Sequence, residues 1–360
     1  MSEPTPVPVP APGAAPEDVA GDAQVPTGLI DRDTVEGSLD AEPEAAMTDA
    51  GVTEGRALVI GEALIDVVRQ ADGPVAEHPG GSPANVALGL GRLGRTVDLL
   101  TWFGPDEHGR LLRSHLEASG VTISPGSDTA PRTSVAAATV DADGVATYDF
   151  DLSWHVPDTW ASPPTAPLVV HTGSIAAVLA PGASDVANIL AAHRESATLT
   201  YDPNLRPSLM PPPEATRPVV MELVALADVV KVSDEDLAWL EPGSDPLEVA
   251  RTWVGAGPSV VIVTRGGDGA TALTSRGLEV DVAAPRVQVA DTVGAGDSFM
   301  GGLIDGLWSA GLLGGAHRSA LQSIDEATLR AVLQRCTEIA AITVSRPGAN
   351  PPTRAELDAT

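Results

Sequence analysis

The sequence predicts an α/β protein: a mostly parallel central sheet covered by helices on both faces, three layers in all, with a small β lid. Three observations carry this. Short β-rich runs alternate with amphipathic helical patterns, which is how a parallel sheet with crossover helices is written. The 360 residues suffice for one large α/β domain. Two runs, "TSVAAATVD" and "VATYDFDLS", flank Ala142-Asp143-Gly144 and break the alternation. They read as an antiparallel hairpin outside the main sheet, so lid strands are expected near 64–78 and 132–152.

Taken in order, residues 1–55 stand apart. "MSEPTPVPVPAPGAAPEDVAGDAQVP" is rich in Pro and Ala, acidic and without periodicity. Such a segment cannot bury enough apolar surface to offset its ordering entropy. It is expected to be a disordered tail ahead of a domain spanning 56–360, with Met47 as a second candidate start. A chain beginning at Met47 should keep the soluble yield and activity of the full chain; a large loss of either would refute the reading.

From Arg56 the texture changes. "RALVIGEALIDVV" reads as a buried strand, a turn at Gly61-Glu62 and more strand. "GGSPANVALGLGRLG" reads as a turn and a helix, with Ser82 as N-cap, Pro83 at the first helical position and Gly94 as the stop. "TVDLLTWFG" is a strand and "HGRLLRSHLEASG" a helix. "PLVVHTGS", "ATLTYDPN", "DVVKVS" and "SVVIVTRGG" are strands, separated by helical patterns at 183–194, 214–226, 234–240 and 246–256. A helix is also expected over Asp297–Leu307.

Composition excludes several functions. The formal charge is −28, and Lys231 is the only lysine. Nucleic acids and anionic membranes need clustered Lys and Arg, so neither is an expected partner. Cys336 is the only cysteine, which removes intrachain disulfides and cysteine-based zinc sites and suits a reducing compartment. The N-terminus shows no basic stretch followed by an apolar one, and no apolar run approaches the ~20 residues of a membrane helix. The expected location is the cytoplasm.

The chemistry concentrates in "DTVGAGDSF", residues 291–299. Gly294 and Gly296 allow a tight turn with bare amides at a helix N-terminus, which is an anion site. Asp297 then either caps the helix or acts as a general base beside a phosphoryl group. A P-loop is excluded, because the lone lysine lacks its context. Gly89-Leu-Gly91-Arg-Leu-Gly94 has dinucleotide-binding spacing but lies at a helix end, so that reading is rejected.

"GGSPANVALGLGRLG" at 80–94 and "DTVGAGDSFMGGLIDGL" at 291–307, about 210 residues apart, resemble the two signatures of the PfkB (ribokinase-like) carbohydrate kinases. Further matches follow in order: "GEALIDVV" at 61–68, "YDPNLRPSL" at 201–209, "VVKVSDEDL" at 229–237, "VTRGGDGA" at 263–270 and "SRPGANPPT" at 345–353. The resemblance covers roughly 56–355. It implies a ribokinase-like fold and Asp297 as catalytic base, with the Gly294, Ala295 and Gly296 backbone as anion hole. Asp66, Gly80, Gly81 and Asn85 match the family's sugar-binding positions, and Arg206 an arginine that some members place near the phosphates. Thr264, Gly266, Gly267 and Gly269 match its nucleotide loop. ATP and Mg2+ are the implied co-substrate and metal. Where members often carry Asn-x-x-Glu, this chain has Ser233 and Asp236, whose shorter reach can still order metal-bound water. Asp291 and Val293 occupy positions where members bind a monovalent cation such as K+. A homodimer through the lid is the candidate assembly.

For the substrate, Gly-Gly-Ser-Pro-Ala-Asn looks like fructokinases and 2-keto-3-deoxygluconate kinases. Ser82 and Pro83 bring no positive charge, which disfavours a phosphorylated sugar. The lack of aromatics around 60–90 disfavours a stacked nucleoside base. Free fructose is the first choice; a ketodeoxy acid, ribose and a nucleoside are the alternatives. A sugar-sensing protein without catalysis is the alternative class, since fold alone does not imply activity.

Overall fold

The computed structural model describes residues 55–70, 75–140 and 146–359. The tail expected at 1–55 lies outside them, save Gly55, and so does the turn at Ala142-Asp143-Gly144.

Thirteen strands form two sheets among these residues. The strands are β1 (Ala57–Ile60), β2 (Leu64–Gln70), β3 (Val75–Gly80), β4 (Val97–Leu100), β5 (Val121–Ile123), β6 (Val135–Val140), β7 (Ala146–Asp151), β8 (Val169–Gly173), β9 (Thr198–Asp202), β10 (Val229–Ser233), β11 (Val260–Thr264), β12 (Ala270–Thr274) and β13 (Glu279–Val282). The large sheet has the order β13-β12-β11-β10-β9-β8-β1-β4-β5. From β11 to β5 every neighbour pair is parallel, while β12 and β13 run antiparallel at one edge. The alternation therefore meant what it predicted.

The helices are α1 (Ser82–Arg92), α2 (Glu107–Glu117), α3 (Gly182–His193), α4 (Pro213–Leu226), α5 (Asp234–Leu240), α6 (Pro246–Ala256), α7 (Ala295–Ser309), α8 (Arg318–Gln322), α9 (Glu326–Val344) and α10 (Arg354–Leu357). Alternate residues of each strand feed different cores. Ala57 and Val59 join one core with residues of α1, α2, α7 and α9. Leu58 and Ile60 join another with residues of α3, α4, α5 and α6. A strand buried on both faces reads as a continuous apolar run, as "ALVI" does. Helix α7 packs between α1 and α9 and is buried all round from Asp297 to Trp308, which explains why most of its residues are apolar or glycine. None of the described helices is long and apolar enough to cross a membrane.

The second sheet has the order β3-β2-β6-β7. Its outer pairs are antiparallel, as the hairpin predicted. Its central pair, β2–β6, is parallel, which corrects the expectation of a purely antiparallel lid. The reason is topological. The chain leaves the large sheet twice, after β1 and after β5, and each excursion supplies one hairpin. The two hairpins then meet side by side.

Strand order in the large sheet reverses at β1, which has β4 on one side and β8 on the other. In open parallel sheets, ligands bind outside the carboxyl ends of strands at such a switch point. Glu62 follows β1, Asp202 ends β9, Ser233 ends β10 and Thr264 ends β11. The candidate residues gather at this edge.

Two local expectations need correction. Ser82 is not the N-cap of α1: Gly81 holds that position, with φ of +103°, and no side chain caps the helix. Asp297 does not cap α7 either, because the helix begins two residues earlier with left-handed Gly294 as N-cap. In both cases the side chain is committed elsewhere. Gly94 does stop α1, with φ of +78°.

Candidate active site

Asp297 sits in the first turn of α7, and its side chain is buried. Its Oδ1 accepts from Ser82 Oγ at 2.7 Å and from Asn204 Nδ2 at 3.2 Å. Its Oδ2 accepts from Asn85 Nδ2 at 2.8 Å. Asn204 Nδ2 also donates to Ser82 Oγ at 2.7 Å. A carboxylate offers about four acceptor sites, and three are occupied here. The three donors fix the carboxyl plane and leave acceptor capacity for one incoming hydroxyl. Ser82 and Asn85 come from the start of α1, Asn204 from the loop after β9. Asn204 has φ of +39°, a left-handed conformation that Asn tolerates better than most residues.

Arg206 is exposed and folds back over the same loop. Its guanidinium donates to Asn204 Oδ1 at 2.6 Å and to the carbonyls of Asn204 and Leu205. Its charge also reaches Glu62 and Asp66. It thus stands at the mouth of the site, tethered through Asn204.

Asp66 lies on β2 of the small sheet, opposite His78 on β3. A Cβ on Gly80 would stand 2.2 Å from Asp66 Oδ2, and one on Gly81 2.4 Å from the carbonyl of Glu62. The paired glycines therefore make room for this chain's own Asp66 carboxylate and Glu62 backbone carbonyl, where the sequence suggested only access for a sugar. Burial pushes the Asp66 carboxyl up to about 6, against the pull of His78 and Arg206. The nearby Asp297 adds to the upward push.

Glu62 was not singled out in the sequence. It is buried where β1 gives way to β2, and its Oε2 accepts from the amide of Ala176 at 3.1 Å. Burial raises its carboxyl to about 7 from 4.5. The folded state therefore holds this proton more tightly than the unfolded one. The resulting stability is full below about pH 4.5 and is lost as pH rises through 7, on the order of 3 kcal/mol. Glu62→Gln should remove that dependence, so the melting temperature of the variant should fall less than that of the native chain between pH 5 and 8. Parallel declines would refute the assignment.

Behind Asp297, Lys231 Nζ donates to Asp202 Oδ2 at 2.8 Å, both side chains being buried. Asp202 Oδ1 is buried without a hydrogen-bond partner. Burial raises the Asp202 carboxyl to about 6 in spite of Lys231.

At the nucleotide end, Thr264 closes β11, and Gly266, Gly267 and Gly269 lie in the turn leading into β12. A Cβ on Gly266 or Gly267 would meet no protein atom within 4 Å, so that face of the turn is open. Ser233 and Asp236 form a capping box on α5: Asp236 N–H donates to Ser233 Oγ at 3.0 Å. Asp236 Oδ1 also accepts from the amide of Leu205 at 2.9 Å. The pair thus ties the β9 and β10 loops together. Asp291 accepts from the amides of Val293 and Gly348, and Val293 is exposed. Ala295 N–H donates to Thr292 O at 3.3 Å, while the amides at the start of α7 have no acceptor within the helix. Among the described residues no three His, Cys, Asp or Glu side chains group as a metal cage. Mg2+ commonly binds through phosphates, waters and one or two carboxylates, a role open to Asp236.

The sequence matches the pfkB family carbohydrate kinases over residues 55–356. The chain belongs to this family. It is a sugar kinase. A fructokinase of Klebsiella pneumoniae is 33% identical over 266 residues, covering 72% of this chain and 86% of the relative. A probable fructokinase of Arabidopsis thaliana is 34% identical over 316 residues, covering 82% and 94%. Among solved structures, the kinase resembles a fructokinase of Vibrio cholerae O395 in its fructose, ADP and calcium ion bound form. The TM-score is 0.70 at 28% identity, over 85% of this chain and 98% of the other. It shares its fold with the Xylella fastidiosa fructokinase with bound ATP at TM-score 0.73, over 84% and 97%.

Sequence reasoning named Asp66, Gly80, Gly81, Asn85, Arg206 and Asp297, and the structure brings them together. It missed Asn204, Glu62, Asp202 and Lys231 as members of the site. A signal existed for the last: in "VVKVS" a charge stands within a strand run of a sheet expected to be covered on both faces.

Proposed function

We propose that this kinase transfers the γ-phosphoryl group of ATP to a free hydroxyl of fructose. The carrying observation is Asp297, held by Ser82, Asn85 and Asn204 with acceptor capacity to spare. The sugar hydroxyl donates to Asp297, its oxygen attacks the γ-phosphorus, its proton passes to the carboxylate, and the bond to the ADP oxygen breaks. Amides from Gly294 to Gly296 face the transferring group. Asp66 and Asn85, with the Gly80-Gly81 backbone, orient the sugar. Thr264, Gly266, Gly267 and Gly269 border the nucleotide, and Arg206 attracts its phosphates. Mg2+ would neutralise charge on the phosphates, with Asp236 and Ser233 ordering its waters. K+ at Asp291 and Val293 belongs to the same reading, as does a homodimer through the small sheet in a cytoplasmic setting.

Fructose is supported by the fructokinase relatives and by the absence of a cation at Ser82-Pro83. ADP release measured across fructose, 2-keto-3-deoxygluconate, ribose and nucleosides tests it. Fructose should give the highest kcat/KM. ATP turnover indifferent to every sugar would leave a binding protein instead.

Asp66 stands on the small sheet and Asp297 on the large domain, so a bound sugar bridges the two. Closure of the small sheet would exclude water and suppress ATP hydrolysis. Hydrogen exchange over 132–152 should slow on adding fructose; unchanged exchange at saturation would count against closure.

A further inference from the structure

Lys231 is the one lysine among 21 basic side chains. Everywhere else the chain uses arginine. It stands on inner strand β10 between Val230 and Val232, and its side chain is 4% exposed. Its ammonium lies 2.9 Å from where a Cβ on Gly296 would stand. Gly296 is thus bare on that face because Lys231 occupies the space.

The choice of lysine follows from this geometry. An ammonium is a compact point charge that fits beside the bare Gly296, whereas a guanidinium is a wider, planar group. A purely structural pair explains less. Burying an ion pair costs desolvation that its attraction often fails to recover. Here one oxygen of the partner, Asp202 Oδ1, is left without a hydrogen bond, so the pair is poorly optimised for stability. Among the described residues Asp202 is the hydrogen-bond partner of Lys231 Nζ. The charge also acts on Asp236 and Asp297.

We infer that Lys231 is a positioning residue for phosphoryl transfer, a fixed cation behind the Gly296 peptide that stabilises the charge gathering on the transferring group. The inference rests on the proposed role of the Gly294–Gly296 turn. Charge spreads over the phosphoryl oxygens in the transition state, and a preorganised cation in a water-excluded site acts there without reorganising. Asp202 holds the ammonium in place, so the cation is present before substrate arrives.

The single lysine allows a test on the native chain. Protein labelled with 15N-lysine has one Nζ signal. That signal should shift when aluminium fluoride, a mimic of the transferring phosphoryl group, joins ADP, Mg2+ and fructose. It should shift little with ADP and fructose alone. A second arm separates charge from packing. Lys231→Met alone leaves Asp202 buried and unpaired, so Lys231→Met is combined with Asp202→Asn. The double variant should fold, and its kcat should fall roughly 10²-fold with KM for fructose nearly unchanged, the scale of losing one preorganised donor. An Nζ signal unmoved by aluminium fluoride, or a folded double variant with native kcat, overturns the inference. Failure of the site reading looks different: Asp297→Asn would then retain turnover. An unmoved Nζ signal alongside an inactive Asp297→Asn sinks the role of Lys231 alone.

Discussion

Asp297→Asn should fold like the native kinase and lose about 10²–10⁴-fold in kcat, the usual contribution of a positioned general base. The amide has nearly the shape of the carboxylate, so Ser82 and Asn204 can still donate to its oxygen. Its nitrogen then faces Asn85 Nδ2, donor against donor, where Oδ2 accepted at 2.8 Å. Turning the Asn85 amide over restores that bond at small cost. Helix α7 loses nothing, because Gly294 and not Asp297 occupies its N-cap. The melting temperature should therefore change by only a few degrees, since about 1 kcal/mol moves a domain of this size by roughly 2–4 °C or less. Fructose and ADP should bind with near-native affinity by calorimetry, because phosphoryl transfer draws most of its rate from positioning that this variant keeps. A folded variant with near-native turnover would end the assignment and put the base elsewhere.

Asp66→Ala should act on the other kinetic constant. A carboxylate that accepts from sugar hydroxyls contributes about 1.5–3 kcal/mol per charge-assisted bond, so KM for fructose should rise roughly 10²-fold. Turnover at saturating sugar should fall much less, since Asp66 orients the sugar without touching the transferred proton. The acid form of Asp66 offers fewer acceptor sites, and burial has placed its titration near 6. Asp66 is therefore charged above about pH 6 and neutral below it. In the native kinase KM should be flat above pH 6 and climb as pH drops towards 5, approaching about tenfold per unit. Asp66→Asn, which cannot titrate, should show no such climb. A native KM that stays constant from pH 5 to 7.5, or an Asp66→Ala variant with native KM, would remove Asp66 from the sugar site.

The elements of this fold are legible in the sequence because their signals are local. "ALVI" and "VVIV" are apolar on consecutive residues, as strands buried on both faces must be. The helical patterns at 183–194, 214–226, 234–240 and 246–256 fall within a residue or so of α3, α4, α5 and α6. The signature glycines and aspartates were legible too, since a tight turn at a helix start restricts which residues fit.

Tertiary structure alone decided the partners. Asp297 meets Ser82 from 215 residues away, Asn85 from 212 and Asn204 from 93. No periodicity reports such meetings, so Ser82 read as a cap when its hydroxyl was committed to the base. The sequence put a turn at Gly61-Glu62, and the strands on either side of it, β1 and β2, belong to different sheets. β1 is wholly apolar and β2 carries Asp66, Arg69 and Gln70, but which strands each pairs with is set by long-range contacts that no local pattern reports. Parallel pairing of β2 with β6 was hidden for the same reason. Lys231 is the clearest case. The sequence by itself placed this lone lysine in the strand run "DVVKVS". Only the tertiary approach of its ammonium to the start of α7 decided that its charge lies behind Gly296, because the position of a buried charge is set by what folds around it.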